Sequence, residues 1–327
     1  MLSGSRGVAG TLASARGEAA CDGSSAAQVG RKAPPSSASA RRPSLTAWQD
    51  MATQNPVQIQ SPIPGAPGRH AIPLVLIHDG GGTIFSYYFL DDVTRPMYAI
   101  SDPRFNTGEK WEGGVAEMAH HYAHLIKTVV PRGQVILGGW SLGGLTAVNA
   151  ARLLADDPAL DVVGLVLIDT ICPIPPPGKT WDDVEWPAPV KQRTIEWSGK
   201  TSQDMRAAVE RSFADSTRMA WAWGPQAPSW EGGSAGELTP PPAILLRARE
   251  RVPVEGGMVL IDVWREDRLL GWDHYRRKFV SRVLDIPGNH YSVFDRENIL
   301  TLSEQLRAAL RTIDELAGED DWGGIAG

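Results

Sequence analysis

Residues 134–144 read Gln-Val-Ile-Leu-Gly-Gly-Trp-Ser-Leu-Gly-Gly, an apolar run that feeds directly into Gly139-x-Ser141-x-Gly143. This segment restricts the fold more than any other. Apolar and β-branched residues lead in as a buried strand, and Leu142 to Asp156 continues at helical period. Ser141 then occupies a sharp strand-to-helix turn, with small residues two before and two after it so that neighbouring backbone can approach. Such a turn presents a hydroxyl at the carboxyl edge of a sheet and predicts a serine nucleophile. The competing reading is a Gly-rich βα turn carrying an idle serine. The rest of the chain decides between them by whether it supplies a base and an acid.

Strand-like apolar runs recur, each followed by a turn and then a helical pattern. Ile72–His78 is the first strand and empties into Asp79-Gly80-Gly81-Gly82, and Pro96–Ile100 is a short second one. Gly114–Val130 is helical, with Val115, Met118, Ala119, Tyr122, Leu125 and Ile126 on one stripe. Val162–Ile168 is apolar throughout, as expected of a strand buried on both faces of a parallel sheet. Ala243–Arg247 and Arg282–Ile286 read as two more strands, and Glu297–Glu315 as a closing amphipathic helix. This alternation predicts an α/β fold with a mostly parallel, doubly wound sheet. The rhythm breaks at about residues 172–240, where a proline run and six tryptophans (Trp181, Trp186, Trp197, Trp221, Trp223 and Trp230) predict a helical lid insertion. Those tryptophans either pack a small subdomain or line an apolar acyl channel.

A serine hydroxyl needs a base within hydrogen-bond reach and an acid to orient that base. In α/β-hydrolases the order is Ser, then Asp or Glu, then His, each at the carboxyl end of a strand. Val162–Ile168 ends in Asp169, and Arg282–Ile286 is followed by Pro287-Gly288-Asn289-His290. Asp169 is therefore the candidate acid and His290 the candidate base. Glu250, after Ala243–Arg247, is the alternative acid, and Asp295 a lesser one. Each residue has a plainer reading, Asp169 as a turn cap and His290 as an ordinary core or surface histidine. Among the other histidines, His78 precedes the nucleophile against the required order. His70 precedes the fold, His120, His121 and His124 share one helix, and His274 falls in a charged helical stretch. Acyl transfer also needs donors for an oxyanion. The backbone N–H of Leu142 is one, and that of Gly80 in the glycine loop is the other. The triple glycine is a poor phosphate cradle, because no Lys-Ser/Thr follows it.

Composition narrows the partners. The chain has 327 residues and a formal charge of −6, but residues 1–45 carry +4 and the remainder −10. An acidic body without a basic stripe argues against nucleic acid, and no apolar run reaches the roughly 18 residues of a membrane span. Residues 1–45, rich in Ser, Ala, Gly and Arg, predict a disordered extension or a targeting segment. The folded domain is then 46–327. Cys21 and Cys172 do not make a disulfide framework, no Cys/His cluster has metal-ligand spacing, and a reducing, cytoplasmic compartment is the default.

With these residues in place, the chain resembles the thioesterase domains of polyketide and nonribosomal peptide synthases, within the α/β-hydrolase superfamily, and looks most like fungal members. The resemblance covers about residues 70–315. It is carried by Leu-Ile-His-Asp-Gly-Gly-Gly at 76–82, Gly-Gly-Trp-Ser-Leu-Gly-Gly at 138–144, Leu-Val-Leu-Ile-Asp at 165–169 and Pro-Gly-Asn-His-Tyr at 287–291. In that family the acid follows the strand after the nucleophile helix, which favours Asp169 over Glu250. Asp79 stands where the family has proline. The resemblance implies a serine hydrolase that cleaves an acyl thioester through an acyl-Ser141 intermediate, with no resident cofactor. The polyketide or peptidyl chain would ride on the phosphopantetheine arm of an acyl or peptidyl carrier protein. The same residues would also serve a carboxylesterase or lactonase acting on oxygen esters. A non-catalytic, hydrolase-like binding protein is a third reading, and it predicts a broken triad.

Overall fold

The computed structural model describes residues 54–61, 71–186, 188–191, 195, 197, 199–231 and 238–322. The expectations for residues 1–45, including Cys21, and for His70 lie outside these.

A seven-stranded sheet forms the centre. Its strands are β1 (Val57–Gln60), β2 (Leu74–Ile77), β3 (Met97–Ile100), β4 (Gly133–Trp140), β5 (Leu160–Ile168), β7 (Ala243–Glu250) and β9 (Val280–Asn289), in the order β1-β3-β2-β4-β5-β7-β9. Every pairing is parallel except β1 with β3. The mixed α/β architecture is therefore the expected one, with an antiparallel edge strand that the apolar pattern did not reveal.

The sheet is apolar on both faces because its central strands carry unbroken apolar runs, Leu74–Ile77 in β2, Val135–Trp140 in β4 and Val162–Ile168 in β5. Period-2 alternation then sends successive side chains to opposite cores. Val75, Ile77, Leu165 and Leu167 enter the core that also holds Met118, Tyr122 and Ile126 of α1 (Gly114–Val129) and Leu145 and Val148 of α2 (Leu142–Leu154). Leu74, Leu76, Val166 and Ile168 enter the opposite core with Leu302, Leu306 and Leu310 of α4 (Ile299–Trp322). Each such buried side chain contributes about 1.5–3 kcal/mol of transfer free energy, so the double-sided burial fixes the strand register strongly.

Between β5 and β7 the chain leaves the sheet. It forms β6 (Val190–Lys191) and the long helix α3 (Gln203–Gln226), whose start is capped by Ser202 Oγ accepting from Met205 N at 3.2 Å. The connection between β7 and β9 contributes β8 (Met258–Val259), which pairs in parallel with β6. Cover over the sheet's carboxyl edge thus comes from two connections, where the sequence suggested one. The tryptophans divide between the two expected roles. Trp223 and Trp230 are fully buried, while Trp221 lines the cavity described below and meets Trp181 edge to face at 4.4 Å.

Candidate active site

Ser141 sits between β4 and α2 with φ +57° and ψ −120°, a conformation costly for a non-glycine residue. The turn is held open from below. A Cβ on Gly143 would overlap the Ile77 carbonyl oxygen and lie 2.6 Å from that of His78, so the first turn of α2 packs directly on the end of β2. Strand ends then position the remaining groups relative to one another. Ser141 N donates to Ile168 O at 3.0 Å, and Asp169 N donates to Leu246 O at 2.7 Å. Asp169 itself turns out of β5 at φ +42°.

The structure brings Ser141, His290 and Asp169 together. Ser141 Oγ lies 3.0 Å from His290 Nε2, and His290 Nδ1 lies 2.8 Å from Asp169 Oδ2. With a proton on Nδ1, the imidazole donates to the carboxylate and leaves Nε2 to accept from the hydroxyl. Asp169 is fully buried and His290 nearly so. Burial pushes the Asp169 carboxyl up, but hydrogen bonds from His290 and Arg265, with the arginine's charge, outweigh it and hold the group well below the ordinary carboxylate range.

The alternatives fall elsewhere. β7 runs on to Glu250, three residues past its expected end, and leaves that side chain exposed while Asp169 occupies His290 Nδ1. β9 likewise runs through Pro287 and Gly288 to Asn289, so His290 follows the strand directly instead of standing on a longer turn. Asp295 is exposed on the turns leading to α4. His78 is buried with both ring nitrogens engaged, by Asp79 O at 2.6 Å and Tyr122 Oη at 2.7 Å, and burial lowers its proton affinity. His274 lies in a short 3-10 turn, its Nδ1 3.1 Å from Ile174 O.

Gly80, Leu142, Ser141 and His290 share the wall of a largely apolar cavity of about 540 Å³, roofed by Phe213, Ser216 and Trp221 of the cover. The N–H of Leu142 belongs to the first turn of α2, where backbone donors have no partner within the helix. Helix α3 rests on the glycine loop itself. Ser216 Oγ donates to Gly80 O at 2.8 Å, and the Phe213 ring lies 3.3 Å from where a Gly80 Cβ would be. Asp79 faces the same cavity. Its Oδ1 accepts from Gly81 N at 3.1 Å, and burial raises its carboxyl to about 7.

The chain is similar in sequence to known thioesterases. A thioesterase-domain family model matches residues 72–185. Thioesterase AMT4 of Alternaria alternata is 38% identical over 269 residues, covering 81% of this chain and 95% of its own. The chain belongs to the thioesterase family. Probable thioesterase BOA10 of Botryotinia fuckeliana is 38% identical over 263 residues, 80% of this chain and 92% of that one. In three dimensions this thioesterase is similar to the NocB thioesterase domain from the nocardicin cluster. That match has a TM-score of 0.50 at 25% identity and covers 76% of this chain and 96% of that domain.

Three polar groups around the site carry no sequence signal of their own. Arg265 contacts both oxygens of Asp169 at 2.6 and 2.9 Å, and Asp262 Oδ1 accepts from Arg265 Nε at 2.9 Å. Both belong to a charged stretch that reads as solvated surface. Ser216 is one of several hydroxyls on a polar helix. Among the described residues, no group of three or more His, Cys, Asp or Glu is arranged to hold a metal, and no helix is long and apolar enough to cross a membrane.

Proposed function

We propose that this thioesterase releases an acyl chain from a thioester by a two-step serine mechanism. The chain is a polyketide or peptide carried on the phosphopantetheine arm of an acyl or peptidyl carrier protein in secondary metabolite biosynthesis. One observation carries the mechanism: the Ser141–His290–Asp169 hydrogen-bond chain at the floor of the cavity. The substrate class is supported by the relatives. One of them, the nonribosomal peptide synthetase imqB of Aspergillus flavus, is 30% identical over 277 residues, which is 79% of this chain and 8% of that protein.

His290 Nε2 takes the Ser141 proton as Oγ attacks the thioester carbonyl carbon. The oxyanion accepts from the N–H groups of Gly80 and Leu142. Collapse of the intermediate breaks the carbon–sulfur bond, and the leaving thiolate takes the proton from His290. Water, or a hydroxyl or amine within the acyl chain, then loses its proton to the same nitrogen and attacks the acyl-Ser141 carbonyl; collapse breaks the acyl–Oγ bond, Ser141 takes the proton back from His290, and a free acid or a ring is released. Asp169 holds the imidazole tautomer and offsets its transient charge. The pantetheine arm belongs to the substrate, so no resident cofactor enters the scheme. The apolar cavity wall suits an acyl chain, and Trp221 lies in that wall.

The test pairs an acyl-pantetheine thioester with an oxygen ester of the same acyl chain. Thioester turnover should exceed ester turnover, and Ser141→Ala should abolish both. Ester turnover far above thioester turnover would make the protein a carboxylesterase or lactonase instead. Activity that survives Ser141→Ala would remove the mechanism.

A further inference from the structure

Asp169 is held by more than its histidine. Its Oδ1 accepts from Arg265 Nη1 at 2.6 Å and from Ala248 N at 2.8 Å, and its Oδ2 accepts from Arg265 Nη2 at 2.9 Å. A carboxylate has about four acceptor sites. Three are taken by this clamp, and the fourth points at His290 Nδ1. The guanidinium is itself fixed: Nη1 also donates to Ala248 O at 2.9 Å, and Nε donates to Asp262 Oδ1 at 2.9 Å. Asp262 in turn accepts from Val252 N at 2.7 Å. All three charged side chains are at most 1% exposed.

We propose that Arg265 is a positioning residue for this centre, holding the Asp169 carboxylate turned so that its remaining acceptor site faces His290 Nδ1 and taking up part of its charge. The imidazole is thereby kept with Nε2 toward Ser141 Oγ. Asp262 fixes the guanidinium in turn. The bidentate fork makes the arrangement directional as well as charged. Stability alone accounts poorly for it, since a buried ion pair seldom outperforms apolar residues of the same volume.

Other charged groups around the centre are few. On β7, Arg247 donates to the Arg265 carbonyl at 2.7 Å and pairs with Asp285 of β9. Across the cavity stand Asp79, from the loop after β2, and Lys191 and Glu210 of the cover. His290 itself packs against the rings of Trp140 and Tyr291.

The inference rests on the serine mechanism proposed above, and one experiment separates the two. The second-order rate of labelling of the full chain by a fluorophosphonate is measured at one fixed pH, with the labelled residue located by mass spectrometry and the fold of each variant checked by circular dichroism. Arg265→Gln should lower the rate by about a hundredfold, because the carboxylate is then free to turn away from His290. Arg265→Lys keeps a charge without the fork and should recover only about tenfold of that loss. Asp262→Asn leaves the fork on Asp169 and should lower the rate by less than about tenfold. Should Arg265→Gln fail to fold, Arg265→Lys alone decides. A rate that stays at its wild-type value in folded Arg265→Gln, or in Arg265→Lys where that variant alone folds, overturns the proposal. Absence of labelling at Ser141 in the wild type overturns the serine mechanism itself, and the role of the clamp with it.

Discussion

Ser216 Oγ donates a hydrogen bond of 2.8 Å to the carbonyl oxygen of Gly80, tying the cover helix to the loop whose N–H is the proposed oxyanion donor. The bond joins residues 136 positions apart in sequence. It orients the Gly80 peptides from the roof of the cavity, and it ends in a buried environment where a lost partner is costly.

Ser216→Ala should therefore act on turnover through the loop. Leaving the Gly80 carbonyl unpaired costs about 1–3 kcal/mol. Part of that should appear as a fall in kcat of up to about tenfold, with KM moved less. Steady-state kinetics on an acyl-pantetheine thioester measures the split. A rise in KM alone would mean that the bond only shapes the cavity.

Asp79 makes pH an independent probe of the same loop. Burial raises its carboxyl to about 7, so it is neutral in weak acid and charged above neutrality. A charge beside the proposed oxyanion opposes the charge that develops there, and wild-type turnover should fall as pH rises through about 7. Asp79→Asn should flatten that alkaline limb.

Stability follows the same titration. The folded carboxyl holds its proton more tightly than the unfolded one. Its contribution is thus complete below the ordinary carboxylate value of 3.8 and is lost as pH rises to about 7. The Tm of Asp79→Asn should gain on that of the wild type across this window and run parallel above it. Thermal melts at pH 4, 5.5, 7 and 8 would be enough. A constant difference would refute the shift.

Asp169→Asn should lower kcat by on the order of 10⁴-fold, the effect expected when the imidazole loses its tautomer partner. Glu250→Gln, at an exposed strand end, should leave kcat within about twofold, as surface substitutions away from such networks do. The reverse pattern would hand the acid's role to Glu250.

Gly143→Ala should destabilise the fold by about 1–3 kcal/mol, because the added methyl meets two carbonyl oxygens at the end of β2. This outweighs the roughly 1 kcal/mol that alanine contributes to a helix. Urea unfolding measures the balance.

The parts legible in the sequence were those with periodicity or a fixed spacing. β4 and α2 were legible because an apolar run met Gly-x-Ser-x-Gly. β5 was legible because nothing polar interrupts Val162–Ile168, and Asp169 therefore marked its end. Strand ends at β7 and β9 were misjudged because their last residues are polar or turn-forming. Parallel pairing, with Glu250 opposite Asn289, carries both strands beyond their apolar cores. β1 alternates apolar and polar residues over only four positions, Val57 to Gln60, too few to stand out, and is an edge strand completed by β3. Arg265 was invisible for a different reason. A charged residue in a charged stretch reads as surface until tertiary contacts bury it, and its partner Asp169 lies 96 positions away.

The account stands or falls on acyl transfer to Ser141. The most direct measurement is the intact mass of the protein quenched within milliseconds of mixing with a slowly hydrolysed acyl-pantetheine thioester, followed by peptide mapping. The expected result is a mass increase equal to one acyl group, located on Ser141 and absent in Ser141→Ala. Turnover of the thioester with no covalent adduct, or with an adduct on another residue, would contradict it.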